Sequence, residues 1–106
     1  MLHTLNKAWI ICCLNQIKDP NKQFLFVVKN NEEFKQVKTI ISDYFKVNKI
    51  NLYSHGYFYI ASESEIYQDM LCVKDYFPIW DNILISSNIH NLMIKNFLHQ
   101  HRKEKY

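Results

Sequence analysis

Apolar positions recur along this chain in short blocks, and changes in their period mark out its elements. Leu5, Trp9, Cys12, Cys13 and Ile17 fall near the ~3.6-residue period of a helix. They predict a helix over about His3–Lys18 with those side chains inward. Asp19-Pro20-Asn21 ends it, because proline clashes with a preceding helical turn and biases its predecessor toward extended backbone. Phe24 to Val28 is a continuous apolar run of strand-forming residues between turn residues, the pattern of a strand buried on both faces. Asn30 followed by Glu32 and Glu33 reads as a helix cap with acids in the first turn, where they suit the helix dipole. Phe34, Val37, Ile41 and Tyr44, with Ile40 and Phe45 alongside, then predict an amphipathic helix.

Ile50 and Leu52 alternate with polar residues and predict a second strand. Two readings stay open after it. Either Ser54-His55-Gly56 turns the chain into a hairpin with a further strand at Tyr57–Ala61, or the stretch is an irregular loop. Ser62 and Glu65 fit a capping box, and Ile66, Met70, Val73 and Phe77 fit the helix that would follow. Met70 to Val73 alone also reads as a strand; helix is the preferred reading. Ile83-Leu84-Ile85 predicts another short strand, and Asn88 the cap of a last helix with Ile89, Leu92, Met93 and Phe97 inward. The order αβαβ(β)αβα predicts an α/β fold in three layers, a small mainly parallel sheet of three to four strands flanked by helices on both faces. The 106 residues are read as one domain, with residues 1–20 as an N-terminal helix or partner-binding arm.

Composition narrows the function classes. Hydrophobic residues make up 48% of the chain and charged residues 22%, so a packed core is expected. The single glycine, Gly56, rules out both GxGxxG and GxxxxGK[ST], which need several glycines to bring backbone close to phosphate. A net charge of +3 with scattered lysines is no nucleic-acid stripe, and Arg102, Lys103 and Lys105 read as a solvated end. Cys12, Cys13 and Cys72 form no C-x-x-C and cannot all pair, so buried free thiols in a reducing cytoplasm are expected. The apolar run Ala8–Leu14 is too short to span a membrane.

No motif carries recognisable catalysis. His99 and His101 are two apart, not at the i, i+4 spacing of a helical metal pair. Cys72 with His55 or His90 as base reads better as a core thiol, and Glu65 with Asp69 as a solvated helix face. The expectation is a binding protein with no metal, cofactor or small-molecule substrate. Trp9 and Trp80 are the candidate anchors, since tryptophan is enriched at interface hot spots. Tyr53, Tyr57, Phe58 and Tyr59 beside Lys46 and Lys49 are a weaker candidate for stacking single-stranded bases.

Leu2-His3-Thr4-Leu5 with Trp9, then the Phe24–Val28 strand and Phe34–Phe45 helix, then Ile83 to Ser87 running into a last helix, resemble the psi subunit of bacterial DNA polymerase III. Ile10 to Cys13 stand where that family has basic residues and a proline, and Ser87-Asn88 where it has Ser-Pro. The resemblance implies a non-catalytic accessory subunit in the cytoplasm that bridges clamp-loader subunits to the chi subunit and meets DNA only indirectly. The arm with Leu2, Leu5 and Trp9 would dock on the clamp loader, and the folded body would pair with chi. Lys49 to Gly56 and Asp81 to Ile85 are also similar to the chi subunit itself. Glu65-Ile66, Leu71, Pro78, Leu84-Ile85 and Leu92-Met93 are similar to the N-terminal module of the transcription-repair coupling factor. These imply the alternatives of a replication or DNA-repair interaction module; a small α/β enzyme and a subunit of an unrelated assembly complete the list.

Overall fold

A strand covered on both faces buries every one of its side chains, and Phe24 to Val28, five consecutive apolar residues, occupy such a strand. The computed structural model describes residues 2–50, 57–72 and 78–102. Within them the chain runs β1 (His3–Thr4), α1 (Lys7–Asn15), β2 (Gln23–Val28), α2 (Asn31–Asn48), β3 (Tyr57–Ser62), α3 (Glu63–Cys72), β4 (Asn82–Ile85) and α4 (Leu92–Gln100). The four strands form one sheet in the order β1-β4-β2-β3, and every pairing is parallel. Phe24, Phe26, Val28 and Leu84 face α1 and α2, whereas Leu25, Val27, Ile83 and Ile85 face α3 and α4. The result is the expected three-layer α/β fold.

Four local expectations change. β1 precedes the first helix, which starts only after the Asn6 cap, whose side chain accepts from the Trp9 N–H. The buried face of α1 is therefore Ile10, Cys13 and Leu14, continued by Ile17, and Trp9 and Cys12 turn outward. Leu2 and Leu5 do not form a free arm: Leu2 packs on the α3/α4 side of the core and Leu5 on the α1/α2 side. The last helix is capped by Asn91, not Asn88, which leaves Leu92 and Met93 69% and 62% exposed and sends Ile94, Phe97 and Leu98 inward.

The further strand expected at Tyr57–Ala61 is present as β3, reached from β2 by a parallel crossover. β3 lies beside β2 in register from Gln23↔Tyr57 to Val28↔Ser62, with α2 as the connection. Ile50 follows the end of α2 outside any strand, and residues 51–56, with Leu52, Tyr53 and the Ser54-His55-Gly56 turn, lie outside the described residues. Ser62–Glu65 forms the capping contact, Glu65 N–H donating to Ser62 Oγ at 3.2 Å, and α3 follows as a helix. Val73 and Phe77, the end predicted for that helix, lie outside the described residues.

The end of α2 carries a local strain. Lys49 sits in the left-handed region at φ 52, ψ 47, and the Ile50 N–H reaches back to the Phe45 carbonyl at 3.2 Å. That conformation usually belongs to glycine, because a Cβ costs about 1–2 kcal/mol there. Lys49→Gly is expected to raise stability by about 0.5–1 kcal/mol in urea denaturation, part of the strain relief being offset by the freer unfolded chain. No gain would mean that the turn bears no such strain.

Candidate partner-binding surfaces

The described residues place the singled-out side chains in three regions, and the two tryptophans part company. Trp9 lies on the outer side of α1, 38% exposed, with its ring stacked on His3 at 3.8 Å between centroids. His3 belongs to edge strand β1, so Trp9 stands at that edge of the sheet, held in one orientation by the ring beneath it. Trp80 is only 4% exposed and packs with Leu25, Ile66 and Phe97 in the core. Its backbone N–H donates to the His101 carbonyl at 2.7 Å and it bridges in parallel to Arg102, so the segment after α4 runs beside it. Trp80 is a core residue and not a surface anchor, because it leads directly into β4, whose four residues are all buried.

The second region is the carboxyl end of the sheet. The strand order reverses between β2 and β4, and open α/β sheets take small ligands outside the strand ends at such a reversal. Here the Glu33 carboxylate occupies that point. It accepts from the Lys29 N–H at 2.6 Å, from Ser86 Oγ at 2.8 Å and from Asn88 Nδ2 at 3.3 Å. Lys29 Nζ is in turn paired with Glu63 at 2.7 Å. These groups bind the ends of three strands to one another. Beside them a 250 Å³ depression is bordered by His3, Ile85, Ser86, Ser87, Lys95 and His99.

The third region is a groove of 380 Å³ between β3 and α3. Side chains alternate along a strand, so Tyr57, Tyr59 and Ala61 share the α3 side while Phe58 packs on the α2 side against Phe26 and Phe45. Lys46 and Lys49 belong to the α2 layer, on the other face of the sheet, so the exposed tyrosines and these lysines do not form one stacking surface. Tyr53 lies outside the described residues. Tyr57 and Tyr59 are 47% and 53% exposed, and Trp80 closes the floor edge-on to Tyr57, with centroids 6.0 Å apart. Glu65 and Asp69, read from sequence as a solvated helix face, line this groove. The signal that pointed there was the Tyr-x-Tyr alternation followed by acids at i, i+4, which only the parallel turn from β3 into α3 brings together.

Reactive groups are sparse. Burial pushes the Cys13 thiol up to about 12, with neighbouring Cys12 adding to the rise, so Cys13 is an inert core thiol. Cys12 is exposed, contrary to the expectation that the thiols are buried, because the face of α1 is rotated. Glu65, at 3.2 Å from the Tyr59 hydroxyl, raises that phenol above its ordinary value, with Asp69 contributing less. His55 and the Cys72 side chain lie outside the described residues, and the reading that pairs them lies there too. Among the described residues no three His, Cys, Asp or Glu side chains group as metal ligands, and no helix is long and apolar enough to cross a membrane. No protein-family model, no curated protein and no solved structure matches the chain.

Proposed function

We propose that this chain is a non-catalytic accessory subunit of the bacterial replicative DNA polymerase, acting in the cytoplasm as a protein-to-protein bridge between clamp-loader subunits and the chi subunit. The observation that carries the reading is Trp9: a tryptophan near the N-terminus, turned to the surface by the Asn6 cap and fixed by stacking on His3. A large aromatic ring that is already ordered loses little entropy when a partner covers it, which is what makes a hot spot. The resemblance to the psi subunit puts the clamp-loader contact in this segment. With Leu2 and Leu5 engaged in the body, that contact centres on Trp9 and its neighbours along the outer side of α1.

A pull-down from a bacterial cell extract at moderate salt, comparing wild type with Trp9→Ala, tests the reading. Clamp-loader subunits and chi are expected with wild type, and the clamp loader alone is expected to be lost with the variant. Recovery of no replication protein by the folded wild type would overturn it.

A further inference from the structure

The groove on the β3 edge has a chemistry of its own. Its walls are aromatic and aliphatic, from Tyr57, Tyr59, Trp80, Ile66 and Pro78, and its rim carries the carboxylates of Glu65 and Asp69. Glu65 is held in place, accepting from Tyr59 at 3.2 Å through one oxygen and from Ser62 Oγ at 3.2 Å through the other. Among the described residues no lysine or arginine pairs with either acid; Lys22 pairs with Asp81 and Lys29 with Glu63. Among the described residues the groove therefore presents π faces and two negative charges, neither of them paired with a lysine or arginine.

The adjoining backbone adds direction. β3 is an edge strand, hydrogen-bonded to β2 on one side only among the described residues. The Tyr57 N–H donates to the Lys22 carbonyl, so by alternation the N–H groups of Phe58 and Ile60 point away from β2. An extended segment laid along that edge is bound by main-chain hydrogen bonds, and its side chains on the α3 side enter the groove.

We propose that this groove receives an arginine side chain carried on an extended segment of a partner protein. Arginine fits better than lysine because its planar guanidinium stacks on tyrosine while its fork of N–H groups meets a carboxylate. The inference goes beyond the reading of Trp9, since it concerns a different edge of the sheet and needs no replication protein for its test. Trp9 stands at the β1 edge and the groove at the β3 edge, so two partners can be held at once.

The test is a titration of the isotope-labelled full chain, followed by amide NMR, with a capped five-residue peptide bearing a central arginine between valines. The neutral citrulline peptide is the control. Saturable shifts confined to β3 and α3 are expected, with the arginine peptide binding about tenfold more tightly than citrulline. The surface double variant Glu65→Gln/Asp69→Asn, whose own spectrum reports its fold, is expected to lose that preference. Equal binding of the two peptides, an unchanged preference in the folded double variant, or no shift in β3 and α3 would each overturn the proposal.

Discussion

Trp80→Ala is expected to cost about 3–5 kcal/mol in urea denaturation followed by far-UV circular dichroism, whereas Trp9→Ala should stay within about 1 kcal/mol of wild type. The contrast follows from where the rings lie. Trp80 is enclosed by Leu25, Ile66, Phe97 and the segment at His101 and Arg102, and its removal leaves a void that touches β2, α3 and α4 together. Domains of this size are stable by only about 5–15 kcal/mol, so the loss would remove much of the margin. Trp9, 38% exposed and outside both core clusters, gives up its stacking against His3 without opening a void in the core. Similar destabilisation by both substitutions would mean that Trp9 is a packing residue, and its place as partner anchor would fall with that result.

The same pair shows what the sequence made legible and what it did not. Elements whose pattern is local came through: the five-residue apolar run of β2, the Asn30-capped stripe of α2, the Ser62–Glu65 start of α3 and the buried run of β4. Helix phase was legible only where the start was. In α1 the two-residue strand β1 displaces the start past Asn6, and two residues carry no periodicity that could announce a strand. In α4 the difference between Asn88 and Asn91 as cap moves Leu92 and Met93 from the core to the surface. The burial of Trp80 depends on the segment after α4 returning beside it, a contact across more than 20 residues that no local window contains.

The strand-end cluster was illegible for the same reason, and it carries the second large expectation. Glu33 read from sequence as a first-turn acid suited to the helix dipole, and its backbone N–H does donate to the Asn30 cap at 3.0 Å. Its carboxylate does more, joining the Lys29 N–H to Ser86 and Asn88, residues more than 50 positions away. Ser86 is buried, and its own N–H is held by the Val27 carbonyl at 2.9 Å, so its hydroxyl has a fixed place from which to donate. Hydrogen bonds to a charged acceptor contribute about 1.5–3 kcal/mol, and a buried donor left unsatisfied costs about as much. Glu33→Ala is therefore expected to destabilise by about 2–3 kcal/mol in urea denaturation, and Glu33→Gln by less, since one acceptor oxygen remains. Combining Glu33→Ala with Ser86→Ala should cost about 1 kcal/mol less than the sum of the single changes, because the second substitution removes the donor that the first strands. Strict additivity, or a Glu33→Ala variant as stable as wild type, would show that the carboxylate does not hold the strand ends. That outcome would return the reversal point between β2 and β4 to the list of places where this fold could take a ligand, since structure would then no longer account for a carboxylate stationed there.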